Sequence, residues 1–310
     1  MPANAFAHVC AAIATPFRAH TLAVDLPLLA AHARWLCDNG CDGLVLFGTT
    51  GEAASLSAGE KSAVLQHLID AGIPARSLLV GVSGCAIPEV IELTRYAARL
   101  CCAGALLMPP FFFKAVSPQG AARFYDEVIA GCGTELPPLY LYHIPQNSGV
   151  PVDAALTARL LEHHGERIRG YKDSSGQWAN TTEILRSFPQ LEVFVGSEVF
   201  LLDTLRAGGA GCISASVNVQ PAAVRRVYDE WRCARADALQ AHASAVRRTL
   251  EGAGPIISAT KTALAGIHRE PAWALPRPPL DALGGEASAA LIERLRALGV
   301  AGLAAAAPGL

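Results

Sequence analysis

Short apolar segments alternate with longer amphipathic segments along the first three quarters of the chain. The apolar segments have no polar face, which is typical of strands buried on both sides of a parallel sheet. The predicted strands are residues 9–14, 43–47, 77–82, 105–108, 139–143, 168–171, 191–195 and 211–214. The segments between them predict helices at 27–37, 58–71, 88–101, 118–130, 153–163, 178–188, 198–207 and 221–231.

Eight strand–helix units predict an α/β fold, a closed (β/α)8 barrel of the TIM-barrel type, which takes roughly 200–250 residues. An open doubly wound sheet is the alternative, but it usually has fewer units and a glycine-rich first turn. The first turn here is Thr15-Pro16-Phe17-Arg18, which contains no glycine. We therefore expect residues 1–231 to form a catalytic barrel domain.

Beyond Trp231 the strand pattern stops. Residues 234–250, 257–266 and 287–298 predict three helices, separated by Gly254-Pro255 and by a proline-rich run over 271–279. We interpret residues 232–310 as a helical C-terminal extension that packs on the barrel or on a neighbouring subunit. The small residues after Leu298 predict a poorly ordered tail.

Composition narrows the class of protein. The chain is 52% hydrophobic and 17% charged with a net charge of −2, so neither nucleic acid nor an anionic membrane surface is an expected partner. No apolar run has a membrane-spanning length, and residues 1–17 lack the basic start of a signal peptide. The nine cysteines form no CxxC pair and no zinc-finger spacing. They indicate reduced thiols in a cytoplasmic protein without a metal site.

Lys172 lies where the sixth predicted strand ends, in the stretch Gly170–Gly176. Only four of the 25 basic residues are lysines. Arginine can neither lose its proton nor form an imine, whereas lysine does both once burial lowers its pKa. Lys172 is therefore a candidate nucleophile; an exposed surface lysine is the alternative interpretation.

Other candidate groups also follow strands, and the carboxyl ends of barrel strands are where chemistry gathers. The turn Gly48–Glu52 contains two glycines and two threonines and suits an anion such as a carboxylate. It is not a P-loop, because no lysine follows its second glycine; an ordinary strand-to-helix turn is the alternative.

Tyr142 and His143 are adjacent on strand five, so they point to opposite faces. We expect Tyr142 to face the interior, where its hydroxyl would transfer protons beside Lys172. Glu52 and Asp173 are expected to cap or pair locally. The residues expected to bind substrate here are Gly48, Thr49, Thr50, Ser174, Gly196, Ser197 and Ile213.

These groups suit one reaction. The lysine amine attacks the ketone of a 2-oxo acid whose carboxylate lies on the threonine turn. The iminium that results is an electron sink, so an adjacent C–C bond forms or breaks while hydroxyl groups transfer the protons.

The chain resembles the dihydrodipicolinate synthase / N-acetylneuraminate lyase family of Schiff-base aldolases from about Val9 to the C-terminal helices. The resemblance rests on Gly48-Thr49-Thr50-Gly51-Glu52, Tyr142-x-x-Pro145 and Gly170-x-Lys172-Asp173. It implies that Lys172 forms the imine, that Tyr142 transfers protons, that Thr49 and Thr50 hold the pyruvate carboxylate, and that Thr50 links Tyr142 to solvent. It also implies a cytoplasmic homotetramer, a dimer of dimers, with no metal or organic cofactor.

Two positions depart from the synthases of this family. Asn147 replaces the arginine that binds the carboxylate of aspartate semialdehyde, and the resemblance places Asn147 and Phe112 among the substrate-binding residues. Phe112 replaces a tyrosine that reaches the site from a neighbouring subunit, and a phenylalanine cannot relay a proton. The sequence leaves open that Lys114 or an arginine from another loop replaces the lost charge.

We therefore expect a lyase that joins or separates pyruvate, or a related 2-oxo acid, and an unidentified aldehyde, or that dehydrates a 2-oxo sugar acid. A true 4-hydroxy-tetrahydrodipicolinate synthase is the alternative within this class. A non-catalytic barrel that binds small carboxylates is an alternative of another class. A phosphate-binding barrel is disfavoured, because Gly208-Gly209-Ala210-Gly211 precedes strand eight rather than following it.

Overall fold

The eight predicted strands form a closed parallel barrel in the computed structural model, which describes residues 8–303. Strand β8 pairs with β1, with Val9 opposite Cys212 and Cys10 opposite Ile213. This pairing leaves the sheet without an edge, which confirms the barrel and excludes the open doubly wound sheet. The strands are β1 Val9–Ala12, β2 Gly43–Leu46, β3 Leu78–Gly81, β4 Gly104–Leu107, β5 Leu139–His143, β6 Ile168–Asp173, β7 Glu192–Val195 and β8 Gly211–Ser214.

The helices agree with the predicted segments to within a few residues at each end. They are α1 Leu26–Asp38, α2 Ala58–Asp70, α3 Ile87–Arg99, α4 Pro118–Cys132, α5 Pro145–Ser148, α6 Ala154–His164, α7 Trp178–Ser187, α8 Leu201–Arg206, α9 Pro221–Asp229, α10 Ala236–Glu251, α11 Ile256–His268 and α12 Gly285–Ala297. The pattern does not predict α5, because one turn is too short to show apolar periodicity. Residues 198–200 form a 3-10 turn before α8.

Polar side chains fix where several barrel helices begin. Asp25, Ser57, Ser117 and Asp153 each accept a hydrogen bond from a backbone N–H in the first turn of the following helix. Ser57 and Glu60 bond reciprocally in a capping box. These caps satisfy backbone donors that a helix leaves without partners at its start, so each strand-to-helix loop enters its helix at a defined residue.

Alternate strand residues fill the barrel interior, and the residues between them face the helices. Both sets are buried, which explains why the strands show no polar face. Residues of the interior set are Cys10, Ala12, Val45, Leu79, Leu106, Tyr140, Tyr142, Phe194 and Ile213. At the amino-terminal end of the barrel, Tyr140 donates a hydrogen bond to Glu192, which also pairs with Arg169.

The C-terminal helices pack on the barrel. Ala236 and Ala243 of α10 belong to the core between the barrel and its helices, while α10, α11 and α12 share a second apolar cluster. Two residues of the tail expected after Leu298, Val300 and Leu303, are buried in that cluster. Residues 304–310 of the predicted tail lie outside the described residues. The division into a barrel domain and an extension stays a prediction.

The barrel interior is tightly packed around Gly170. A Cβ atom at Gly170 would lie 2.3 Å from Cδ1 of Tyr140 and 2.7 Å from the Glu192 carbonyl oxygen. We expect Gly170→Ala to lower the free energy of unfolding by about 1–3 kcal/mol, the usual cost of overpacking. Gly59→Ala in α2 is the matched control, because open space surrounds Gly59 and alanine favours a helix by about 1 kcal/mol. Denaturant unfolding followed by circular dichroism measures both, and equal stability of Gly170→Ala and the wild type would contradict the prediction.

Candidate active site

Lys172 and Tyr142 lie side by side at the carboxyl end of the barrel. They are paired in register between β5 and β6, and both side chains are buried. The Lys172 Nζ lies 4.2 Å from the centroid of the Tyr142 ring. The predicted strand ended at Tyr171, but β6 continues to Asp173, so Lys172 is held between β5 and β7 rather than in a loop. The interpretation of Lys172 as an exposed surface lysine is therefore wrong.

His143 faces away from the barrel interior, which confirms the orientation predicted for this pair. Its Nδ1 accepts a hydrogen bond from the backbone N–H of Val152 at 3.0 Å, and its ring stacks on Tyr171. Burial lowers the pKa of His143 below its ordinary value, which favours the neutral form that this bond requires. His143 thus joins β5 to the segment before α6 and takes no part in the cavity.

The turn that follows β2 reaches Tyr142. Oγ1 of Thr49 lies 3.3 Å from the Tyr142 hydroxyl oxygen. The resemblance implies that Thr50 links Tyr142 to solvent, and this role stays a prediction. Thr50 lines the same cavity.

Two opposing effects set the pKa of Tyr142. Burial raises it, because the interior disfavours a phenolate. The positive charge of Lys172 and hydrogen bonds with Thr49, Ser174 and Lys172 outweigh burial, so the pKa of Tyr142 lies below its ordinary value. A hydroxyl with a lowered pKa gives up its proton more easily, as a proton-transfer group requires.

These groups open into a cavity of about 450 Å³ at the carboxyl end of the barrel. The predicted site residues that line it are Thr49, Thr50, Tyr142, Asn147, Lys172, Ser174, Gly196, Ser197 and Ile213. Two predicted site residues lie elsewhere. Gly48 lines a neighbouring cavity, which Thr49 and Tyr142 also line. Phe112 is 74% exposed and does not line the cavity of its own chain, and its expected contact with a neighbouring subunit stays a prediction.

Asp173 fixes the loop that follows Lys172. Its carboxylate accepts hydrogen bonds from the Ser175 backbone N–H and hydroxyl, and from Asn180 and Thr181 at the start of α7. The expected local pairing of Asp173 is therefore confirmed. Gly196 has no side chain and so lets the Ser174 side chain lie against its backbone. A Cβ atom at Gly196 would lie 2.0 Å from the hydroxyl oxygen of Ser174.

The C-terminal helices contribute residues that the sequence reasoning missed. Arg247, Arg248 and Glu251 of α10 and Ile256 of α11 line the cavity. Apolar periodicity predicted both helices but carries no information about which end of the barrel they cover. Nothing in the local sequence signals that these side chains line the same cavity as Lys172.

Glu198 is the centre of a buried network beside the cavity. Its carboxylate accepts hydrogen bonds from Ser214, Ser216 and Gln220, and its side chain has no solvent exposure. Arg247 lies 3.8 Å from this carboxylate and donates to Ser214 and Glu251. The network therefore fastens α10 to the ends of β7 and β8.

The local pairing predicted for Glu52 is wrong. Its Oε1 lies 2.5 Å from Nζ of Lys261, and its Oε2 accepts the backbone N–H of Arg277 at 2.8 Å. Burial lowers the pKa of Lys261 to about 8, despite the opposing charge of Glu52. Lys261 has a lowered pKa but is completely enclosed, whereas Lys172 faces the cavity, so access makes Lys172 the candidate nucleophile.

Residues 8–303 contain no cluster of three His, Cys, Asp or Glu side chains arranged to hold a metal ion. Over the same residues, no helix is long and apolar enough to cross a membrane. Gly208 to Ala210 precede β8 and lie at the amino-terminal end of the barrel, opposite the cavity. The phosphate-binding alternative therefore lacks its loop at the site.

Comparison with solved structures finds the same fold. Dihydrodipicolinate synthase from Agrobacterium tumefaciens is 30% identical with a TM-score of 0.88, covering 94% of this chain and 99% of that one. YagE from E. coli, a prophage protein of the dihydrodipicolinic acid synthase family solved in complex with pyruvate, is 27% identical with a TM-score of 0.87. That match covers 95% of this chain and 99% of YagE.

Sequence comparison agrees. An uncharacterized DapA-like lyase from Chloroflexus aurantiacus is 35% identical over 286 residues, which cover 91% of this chain and 94% of the relative. The model of the Dihydrodipicolinate synthetase family matches residues 5–298. A match over nearly the whole chain, with a relative covered almost end to end, shows that this chain belongs to the Dihydrodipicolinate synthetase family.

Proposed function

We propose that the protein is a lyase that forms a Schiff base between Lys172 and pyruvate or a related 2-oxo acid. It would then catalyse aldol-type cleavage or formation of a C–C bond, or dehydration of a 2-oxo sugar acid. The observation that carries the proposal is the position of the Lys172 amine, buried at the cavity beside Tyr142. Family membership and the pyruvate complex of YagE support it.

The first step needs a neutral amine and a proton-transfer group. The Lys172 nitrogen attacks the C2 carbonyl carbon, the carbonyl oxygen takes up a proton, and loss of water leaves the iminium. Tyr142 is the hydroxyl beside the amine, and its lowered pKa suits repeated protonation and deprotonation. The contact with Thr49 orients that hydroxyl.

The carboxylate of the 2-oxo acid would lie on the turn after β2. Thr49 and Thr50 supply hydroxyl donors at the cavity wall, and a glycine-containing turn leaves backbone N–H groups free to face an anion. Ser174, Ser197 and Ile213 would enclose the remainder of the substrate. No step requires a metal or organic cofactor, because the imine itself serves as the electron sink.

The assembly and compartment are also proposals. We propose a cytoplasmic homotetramer, a dimer of dimers, as the resemblance implies. The adjacent Phe112 and Phe113 are 74% and 66% exposed, and exposed aromatic pairs of this kind favour contact with another subunit. All nine cysteines are free thiols, which suits a reducing compartment.

The acceptor side of the cavity favours an aldehyde other than aspartate semialdehyde. Asn147 offers a neutral amide where the synthases have a guanidinium. Against Lys114 as the replacement, its Nζ donates to the carbonyl oxygens of Phe111 and Asn147 and the residue does not line the cavity. Arg247 forms an ion pair with Glu251. Arg248 also lines the cavity and makes no ion pair within residues 8–303, so its charge is the one available to an acceptor.

Lys172 is expected to be the lysine that pyruvate labels. Borohydride reduction in the presence of pyruvate should add one pyruvate-derived mass to the wild type, and peptide mapping should place it on Lys172. Lys61→Arg and Lys114→Arg should label normally, whereas Lys172→Ala should not. Labelling of another lysine would refute the assignment, and an unlabelled wild type would favour the non-catalytic carboxylate-binding barrel.

Tyr142→Phe should abolish most of the turnover and leave the fold intact. A proton-transfer group contributes about 10²–10⁴ in rate, while one hydroxyl hydrogen bond stabilises the fold by about 1 kcal/mol. Tyr125→Phe is the matched control, because that buried hydroxyl donates to the Leu107 carbonyl oxygen outside the cavity. Near-normal turnover by Tyr142→Phe, or a larger loss in His143→Ala, would contradict the proposed proton path.

Aspartate semialdehyde should be a poor acceptor. Loss of a buried charged contact costs about 2–5 kcal/mol, or roughly 30- to 5,000-fold in specificity. In a coupled assay with pyruvate we expect kcat/KM below about 10⁴ M⁻¹s⁻¹, and an increase in Asn147→Arg. Hydroxylated aldehydes and 2-oxo sugar acids would be assayed in parallel.

If the wild type turns over aspartate semialdehyde efficiently, its function is that of a true synthase. Arg248→Gln then tests the source of the missing charge: loss of that turnover would show that Arg248 of α10 supplies it, and unchanged turnover would show that Arg248 does not.

A further inference from the structure

We infer that the buried Lys261–Glu52 ion pair positions the Thr49–Thr50 turn to receive the carboxylate of the 2-oxo acid. This inference rests on the proposed function and adds a positioning role for the C-terminal extension. Lys261 would act through Glu52 and the turn, without touching the substrate.

The pair is enclosed and its bonding groups are satisfied. Both side chains have no solvent exposure, and Nζ of Lys261 donates to Oε1 of Glu52 at 2.5 Å and to the carbonyl oxygen of Thr15 at 2.8 Å. The ammonium also lies 4.4 Å from the ring centroid of Phe17. One ammonium therefore joins the turn after β2 to the loop after β1.

Glu52 needs to be held from outside the turn. Its φ of 56° is in the left-handed region, which a residue other than glycine rarely adopts and which persists only when its surroundings impose it. The Glu52 backbone N–H donates to the Thr49 carbonyl oxygen at 3.1 Å. The conformation of Glu52 and the direction of Thr49 are therefore coupled.

The neighbouring contacts hold the same turn. The Thr15 hydroxyl donates to the Gly51 carbonyl oxygen at 2.8 Å, so Thr15 contacts both Lys261 and the turn. The backbone N–H of Arg277 binds Oε2 of Glu52, and its guanidinium binds the Leu22 and Ser55 carbonyl oxygens. Helix α11 and the segment after it thus close around the back of the turn, on the side away from the cavity.

The stability of the fold alone does not explain why a buried ion pair such as Lys261–Glu52 is present. The cost of removing two charges from water can exceed their attraction, and replacement of both by uncharged groups is often neutral for stability. Removal of one partner is different, because it leaves an uncompensated buried charge. A double replacement therefore tests positioning with the least disturbance of folding.

The variant is Lys261→Met with Glu52→Gln. Its Michaelis constant for pyruvate should rise about 10-fold or more. The kcat at saturating pyruvate should fall by a smaller factor, because Thr49 of the same turn also orients the Tyr142 hydroxyl. Borohydride trapping on Lys172 should still reach completion at saturating pyruvate. Arg169→Met with Glu192→Gln is the matched control, an ion pair at the opposite end of the barrel.

Hydrogen exchange provides a readout that does not depend on catalysis. Backbone amides of residues 49–52 should exchange faster in the double variant than in the wild type, and should be unchanged in the control. If the wild type fails to trap pyruvate, the proposed function fails, while the exchange rates still report whether the ion pair holds the turn.

Three results would overturn the inference. The first is a folded double variant whose KM for pyruvate stays within about 2-fold of that of the wild type, and the second is unchanged hydrogen exchange at residues 49–52. The third is complete loss of trapping at saturating pyruvate, which would make Lys261 a participant in the imine chemistry. Should the double variant not fold, Glu52→Gln alone keeps the shape of the side chain. Loss of the Glu52 charge lowers the pKa of Lys261 further, so the amine gives up its proton instead of remaining an unpaired charge, and the variant is judged by the same criteria.

Discussion

The hydrogen-bonded pairing of β8 with β1 is the constraint on which the site depends. Once the sheet closes, all eight strands point their carboxyl ends to one rim, and loops far apart in sequence meet there. The turn after β2 thereby reaches Tyr142 on β5, although the two strands are not neighbours. The β5–β6 register then places Tyr142 directly opposite Lys172.

Around that rim the protein buries several charged groups, and each has partners. Asp173, Glu198 and Glu52 are all less than 5% exposed. Asp173 accepts hydrogen bonds from Ser175, Asn180 and Thr181. Glu198 accepts them from Ser214, Ser216 and Gln220. Glu52 accepts them from Lys261 and Arg277. These bonds hold the loops in place before substrate arrives, and preorganised groups stabilise developing charge more effectively than mobile ones. Lys172 differs from these groups because its amine faces open space in the cavity.

The C-terminal extension belongs to the site as much as the barrel does. Helix α10 lines the cavity and is fastened through Glu198, while α11 supports the turn after β2 through Lys261. A whole family shares the barrel, and a fold by itself does not specify a substrate. Asn147 and Arg248 line the cavity, so differences between acceptors are expected to come from such positions.

The sequence by itself determined the barrel, because eight apolar segments without a polar face have few ways to be buried other than a closed parallel sheet. It also predicted that Lys172 and Tyr142 lie together at the carboxyl end of the barrel, since strand ends and side-chain alternation are local properties. Only the tertiary structure decided that Thr49 contacts Tyr142, and that Glu52 binds a lysine from α11. Those contacts depend on the direction of side chains in a turn and on where a distant helix docks. Neither is encoded in local periodicity, because a helix with an apolar face packs equally well in many places until the complete set of neighbours selects one.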